Sequence, residues 1–386
     1  MKSMTARVAL LSHSTSPRGG HVHTLGLGEA LHRTGRPVHL LAIGDPAKGL
    51  YRPADLPFTV VRGPAREGTT LDQRVFASID LMAAALAARI DEFDVLHAQD
   101  CIAASAALRA RNLTRHRTGS SVRVLRTAHH VDDFTTQALI DCQRRAIVEP
   151  DRVLVVSEQW RRILRADYGV ETTVVPNAVD TGRFAGAVPV PRPGPGPLLL
   201  AVGGIEPRKG STVAFRALAQ LARTADAGGR PRPVLAIVGG HSFQDFAPFR
   251  DAALAELPSL GLAAGVDVVE VGTVTDAELG GWYAAADVLC YPSLVEGFGL
   301  VTIEAMSQGL PVVASDIEVF GEYLTDGVDA LLPAAGDQDA LAAALSRVLN
   351  DEGLADRLRT AGQKTAASYT WDAAAKVHEQ IYAELA

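Results

Sequence analysis

The sequence predicts an α/β protein of two parallel-sheet, Rossmann-like domains, on three observations. Short apolar runs alternate with longer Ala-rich helical stretches through both halves of the 386 residues, the pattern of βαβ units. Residues 188–197 read V-P-V-P-R-P-G-P-G-P, and five prolines and two glycines in ten positions fit neither a sheet interior nor a helix. Strand-to-helix turns bearing glycine occur in both halves, where backbone N–H groups at a helix start can face an anion. The expected organisation is an N-terminal domain over 1–187, a C-terminal domain over 198–369, and an amphipathic segment over 370–386. The ligand cleft is expected between the domains, at the carboxyl ends of the strands.

In the first half the strand-like runs are Val8–Leu11, Val38–Ile43, Phe58–Val61, Val95–His97, Val122–Leu125, Val153–Val156 and Val174–Val175. The first lies directly behind Met-Lys-Ser-Met-Thr-Ala-Arg and reads as a core strand, with no cleavage-type tail. It leads through Ser12-His13 to Pro17-Arg18-Gly19-Gly20-His21-Val22-His23 and a helix from about Thr24. That turn lacks the G-x-G-x-x-G dinucleotide fingerprint. His129, in Leu125-Arg-Thr-Ala-His-His-Val-Asp-Asp133, closes a strand, where an imidazole can hydrogen-bond a sugar hydroxyl. His21-x-His23 and His129-His130 invite a metal reading, but no H-E-x-x-H spacing exists and no metal is expected.

In the second half the runs are Leu198–Val202, Val234–Val238, Val266–Val271, Val288–Tyr291 and Pro311–Ala314. Leu198-Leu-Leu-Ala-Val-Gly-Gly-Ile-Glu-Pro-Arg-Lys-Gly-Ser211 is a strand and turn with two cations, Arg208 and Lys209, suited to neutralising a leaving diphosphate. Tyr291 to Ser315 reads Y-P-S-L-V-E-G-F-G-L-V-T-I-E-A-M-S-Q-G-L-P-V-V-A-S. Leu300, Ile303 and Met306 mark a helix over Leu300–Gln308 that ends at Gly309, and Gly297 and Gly299 form the turn before it. Glu296 lies just outside that turn and Glu304 two turns inside. The two carboxylates would flank an anion at the helix N-terminus with acceptors for hydroxyl groups, which suits a sugar, a diphosphate and a ribose.

Composition narrows the partners. An apolar content of 47% and a mean hydropathy of +0.11 place the chain among globular proteins. No run of 18 uncharged apolar residues is present, and Cys101, Cys142 and Cys290 are widely spaced without a CxxC pair, so the expected location is cytoplasmic. Residues 1–180 carry 23 Lys+Arg against 19 Asp+Glu, and the remainder 14 against 25, giving +4 and −11. The arginines at 109, 111, 115, 117, 123 and 126 read as a solvated face or as an attraction to an anionic acceptor or phospholipid surface at the inner face of a membrane. Aromatic interleaving is missing from them, which argues against nucleic acid.

The segment E-G-F-G-L-x-x-x-E, preceded by A-D-V-L-C-Y-P-S and followed by A-M-S-Q-G-L-P-V-V-A-S, resembles the signature of retaining GT-B glycosyltransferases of family 4. The resemblance runs over nearly the whole chain. It implies a GT-B fold, two Rossmann-like domains facing across a cleft, and transfer of a sugar from a nucleoside diphosphate sugar to a hydroxyl acceptor, a small molecule or lipid carrier, by front-face attack. UDP-sugars are favoured over GDP-sugars as donors, and no other cofactor is implied. It assigns sugar hydroxyls to Glu296, ribose hydroxyls to Glu304, and the diphosphate and sugar to the backbone of Phe298, Gly299, Leu300 and Val301. Lys209 matches the lysine of the family's G-R-x-x-x-x-K-G pattern, whereas Gly204 stands where that pattern has arginine, leaving Arg208 as a substitute. Thr127-Ala128-His129 matches a T-x-H motif that puts His129, with Glu296 and Lys209, at the reaction centre. Gly20 is implied at the donor phosphate or the acceptor, and Gly272 and Val274 beside the base. His21, Asp100, His130 and Asp132 are implied on the acceptor side. Ala178 departs from the family's Asn-Gly after Pro176. A nucleotide-sugar epimerase and an inactive nucleotide-sugar binder remain as alternatives.

Overall fold

The computed structural model describes residues 6–17, 19–65, 67–118, 122–240 and 246–385, without the side chains of 116–118. Arg18 of the first glycine turn and the Arg117 side chain therefore lie outside the described residues. The chain divides into two compact units, one of residues 1–178 with 371–386 and one of residues 179–370.

The first unit holds seven parallel strands: β1 (Val8–Ser12), β2 (Val38–Gly44), β3 (Phe58–Arg62), β4 (Val95–Ala98), β5 (Arg123–Ala128), β6 (Arg152–Val155) and β7 (Thr173–Val174). Their order is β3-β2-β1-β4-β5-β6-β7, with Val8 opposite both Val38 and Val95. The second unit holds β8 (Leu198–Val202), β9 (Val234–Val238), β10 (Val268–Gly272), β11 (Val288–Tyr291) and β12 (Val312–Ala314) in the parallel order β10-β9-β8-β11-β12. Every residue of β1, β4, β9, β11 and β12 is buried, because helices cover both faces of each sheet. In each sheet the strand order reverses beside the first strand, between β1 and β4 and between β8 and β11. Open α/β sheets leave a crevice at the carboxyl ends of such a pair. The segments after those four strands carry Gly20, Asp100, Lys209 and Glu296, and the loops after β5 and β10 carry His129 and Val274.

Three expectations change. The domain boundary is not the proline-rich segment 188–197; the chain passes from one unit to the other at Ala178/Val179 and back at Thr370/Trp371. The prolines do bar that segment from sheet and helix, yet it straps onto the second unit. Val190 N–H donates to the Gly281 carbonyl at 3.2 Å, and Arg192 binds Asp287 and the Gly196 carbonyl. Second, the helix expected from about Thr24 starts at Gly19, so Gly20 and His21 form its first turn. Neither Gly19 nor Gly20 has a positive φ. Third, the arginine run is not one face. Arg126 is buried on β5, Arg109 binds Asp80, and Arg111 and Arg123 share Asp151.

The terminal helix, Trp371–Leu385, belongs to the first unit and packs on the helix Gly19–Arg33. A Cβ at Gly26 would lie 2.3 Å from Trp371 Cε2, so only glycine there lets the indole seat. Arg33 with Asp372 at 2.9 Å and Thr34 with Glu379 at 2.7 Å fix the same pair from its exposed side. Among the described residues no helix is long and apolar enough to cross a membrane.

Candidate functional site

In the second unit the chain leaves β8 through Gly203 and Gly204 into a single 3-10 turn, Pro207–Lys209. Gly210 ends that turn at φ 65°, and a Cβ there would lie 2.0 Å from the Pro292 carbonyl oxygen. The close approach brings Lys209 against the loop that follows β11. Its ammonium donates to Tyr291 Oη and to Glu296 Oε1, each at 2.6 Å, and Tyr291 Oη donates to Glu296 Oε1 at 2.9 Å. Burial works against the Glu296 carboxylate, but Lys209, Arg208 and these hydrogen bonds outweigh it and hold its pKa below the ordinary value. Burial pulls the Lys209 ammonium down, with Glu296 opposing. Arg208 does not simply point into solvent. Half-exposed, it lies 3.1 Å from Glu206 Oε2 and 3.8 Å from Glu296 Oε2. Gly204 is not a vacant arginine position, since a Cβ there would lie 2.8 Å from the Gly240 carbonyl oxygen and 3.3 Å from Glu206 Oε1.

Beyond Glu296 the turn closes on Gly299, at φ 85° and ψ 51°, which begins the helix Leu300–Ser307. Glycine is required there twice over: φ is positive, and a Cβ would meet Phe320 Cε1 at 2.4 Å. Tyr323 stacks on Phe298 at 4.9 Å and donates to its carbonyl oxygen at 2.7 Å, pinning the turn. Phe298 through Val301 thus stand at a helix N-terminus whose first amides have no intrahelical acceptor. Glu304, buried in the second turn of this helix, is held by residues that the sequence reasoning missed. Arg183 donates to Oε1 at 2.9 Å and Tyr283 to Oε2 at 3.0 Å. Burial raises the Glu304 pKa above the ordinary value, with Arg183 and Tyr283 opposing. Gly272, at φ 81°, ends β10, and Val274 follows just before the helix Asp276–Ala285, whose cap is a Thr275–Glu278 capping box.

In the first unit, His129 follows β5 and is buried. Its Nε2 lies 3.0 Å from Gln99 Oε1, an acceptor, so Nε2 carries the proton and Nδ1 is left as the basic nitrogen. Gln99 in turn donates to His97 Nε2 at 3.2 Å, and His97 Nδ1 lies 2.7 Å from Tyr382 Oη on the terminal helix. Burial and the nearby His130 push His129 down to about 3, so the ring is neutral. Gly20 lies beside it; a Cβ there would sit 3.8 Å from His129 Cδ2. His21 is buried against Ser12 and Tyr51, where burial lowers it to about 4. Asp100 accepts from the His13 and Ala103 amides at 2.9 and 2.8 Å and pairs with His13, so its carboxylate is engaged within the protein. His130 is exposed and pairs with Asp132 at 3.2 Å, while Gln143 holds the Asp132 amide. Ser157 caps the helix Glu158–Tyr168 through the Trp160 amide. Ala178 has no positive φ, so the turn after Asn177 does not require the glycine expected there.

Lys209, after β8, thus pairs with Glu296, after β11, beside a helix N-terminus that carries a second buried carboxylate, Glu304. Comparison with known proteins gives the class. Residues 17–183 match the model of Glycosyltransferase Family 4, and residues 188–365 match that of Glycosyl transferases group 1. The chain belongs to the GT-B glycosyltransferases. The phosphatidyl-myo-inositol mannosyltransferase of Mycobacterium leprae is 28% identical over 96% of this chain and 94% of its own length. The D-inositol 3-phosphate glycosyltransferase of Streptomyces griseus is 35% identical over 54% of this chain and 43% of its own. Among solved structures, the sucrose-phosphate synthase of Thermosynechococcus elongatus superposes with a TM-score of 0.79 at 22% identity, covering 98% of this chain and 99% of that one. Anabaena HepE in complex with UDP-glucose superposes with 0.77 at 19% identity, covering 98% and 100%.

Proposed function

We propose that this glycosyltransferase is a retaining family 4 enzyme that takes a sugar from a nucleoside diphosphate donor and places it on a hydroxyl acceptor. The observation that carries the reading is the buried Lys209–Tyr291–Glu296 cluster beside the helix N-terminus that opens at Gly299. In this reading the amides of Phe298 to Val301 and the Lys209 ammonium bind the diphosphate, with Arg208, held by Glu206 and Glu296, as the further cation. Glu304 accepts from the ribose hydroxyls, and Gly272 and Val274 lie at the base. Glu296, kept ionised, accepts from the sugar. The bond from the anomeric carbon to the diphosphate oxygen breaks as the acceptor oxygen bonds to the same face, and a donor phosphate oxygen takes the acceptor proton. The protein contributes placement and charge, with no covalent step of its own. His129, protonated at Nε2, offers Nδ1 to a sugar hydroxyl.

UDP-sugars lead the donor panel, as expected from the family and from the UDP-glucose bound to HepE. GDP-mannose follows, since one relative is a mannosyltransferase. Inositol and inositol phosphate lead the acceptor panel, since two relatives carry inositol compounds in their names. The test is product analysis by NMR: a new α-glycoside from an α-linked donor supports retention. A β-glycoside overturns the retaining assignment, and an altered nucleotide sugar without acceptor overturns transfer.

A further inference from the structure

We infer that Arg183 is a positioning residue for the donor: it holds Glu304 in a single orientation and in its ionised form, ready to accept from the ribose hydroxyls. The inference rests on the reading of Glu304 as the ribose ligand. Arg183 lies in the segment before the proline strap, five residues past the crossing into the second unit, and belongs to no family motif quoted above. Its guanidinium is largely buried and reaches two helices at once. Nε and Nη2 fork onto the Asp276 carboxylate at 2.9 and 2.5 Å, and Nη1 binds Glu304 Oε1 at 2.9 Å. The ring of Phe184 lies against the guanidinium, 4.9 Å from centroid to Cζ. Phe184 also packs at 5.3 Å on Tyr283, whose hydroxyl holds the other Glu304 oxygen. A planar group with donors on two edges can do this; an ammonium cannot.

The charge arrangement gives the arginine a second task. Among the described residues, the groups facing Glu304 are Arg183 from the segment, Asp276 and Tyr283 from the helix Asp276–Ala285, and the N-terminus of Glu304's own helix. Arg183 stands between the two carboxylates of Asp276 and Glu304 in a buried place, where an unpaired carboxylate takes up a proton. Ionised, the carboxylate offers four lone-pair sites, of which Arg183 and Tyr283 engage one on each oxygen, leaving one on each for a vicinal diol. Protonated, it turns one of those acceptors into a donor.

The test is calorimetric titration of UDP and GDP from pH 6 to 9 into wild type, Arg183→Met, Asp276→Asn and Glu304→Gln. Each variant is compared with wild type at the same pH, so that the nucleotide's own ionisation cancels. Arg183→Met should bind about tenfold more weakly at the acid end of this range and recover toward pH 9. Asp276→Asn should move the acid limb the opposite way and bind at least as well as wild type at pH 6. It also keeps the inference testable if Arg183→Met does not fold. A loss in Arg183→Met that is equal at every pH, no loss, tighter binding, or a weakening of both variants at pH 6 overturns the inference. Wild-type affinity in Glu304→Gln at every pH overturns instead the underlying assignment of Glu304.

Discussion

Glu304 and Lys209 are both buried and both paired, but their removal should read out differently. Glu304→Ala deletes an acceptor worth roughly 1.5–3 kcal/mol to a bound hydroxyl pair, so nucleotide affinity should fall tenfold or more in calorimetry. An unchanged affinity removes Glu304 from the ribose site. Lys209→Ala leaves Glu296 buried beside Tyr291 without its main counter-charge, so turnover should collapse while the melting temperature also drops. Arg208→Ala should lower turnover by about tenfold or more, with little change in melting temperature, because this side chain is half-exposed. Wild-type kinetics would return Arg208 to the surface. Gly204→Arg should not restore a family-like site: its Cβ would begin 2.8 Å from a carbonyl oxygen, and a variant as stable and active as wild type would contradict that geometry. His129→Ala should depress transfer far more than binding of bare nucleoside diphosphate, which has no sugar for the imidazole to meet. Equal losses in both would make His129 a structural residue.

At the scale of elements, Gly299 supplies the sharpest prediction. Gly299→Ala forces a Cβ into Phe320 and a side chain into a left-handed conformation, so the turn must open; nucleotide binding should fall and circular dichroism should show a lower melting temperature. All twelve strands of the two sheets were readable as apolar runs, most to within two residues, because a strand covered on both faces is apolar throughout. The helix of Glu304 was readable too, from Leu300, Ile303 and Met306. Other features were hidden for physical reasons. The early start of the first helix was masked by a Gly-Gly pair that propensity assigns to a turn, yet both residues take ordinary negative φ. Prolines announce what a segment cannot form and say nothing about which domain it lies on. Arg183, Asp276 and Tyr283 meet through tertiary packing of segments far apart in the chain, which no local pattern encodes. The grip of Gln99 on His129 appears only when β4 and β5 lie side by side.

On the scale of the whole molecule, the first unit buries neutral histidines. Burial lowers His21 and His378 to about 4 and His129 to about 3, and takes His23 and His97 well below the ordinary 6.5. With the folded value below the unfolded one, the unfolded chain binds more protons between about pH 6.5 and 4, so stability falls as pH falls through that window. Each histidine contributes a slope of up to about 1.4 kcal/mol per pH unit, and urea midpoints measured from pH 7.5 to 5 should decline steeply. A flat profile would mean that these rings are solvated. A bound donor at a hundred times its dissociation constant should add about 2.7 kcal/mol, visible as a thermal shift. The first unit is also built from two stretches, 1–178 and 371–386, with the continuous second unit between them in sequence. On a ribosome that arrangement sets an order of events. The stretch 1–178 emerges with Gly26, His23 and His97 still lacking Trp371, His378 and Tyr382, and must wait through nearly two hundred further residues for the helix Trp371–Leu385. The inserted unit can complete itself in that interval, so of the two units the one begun earlier is finished later, and a message cut short before codon 371 yields a chain with an open seam on its first sheet.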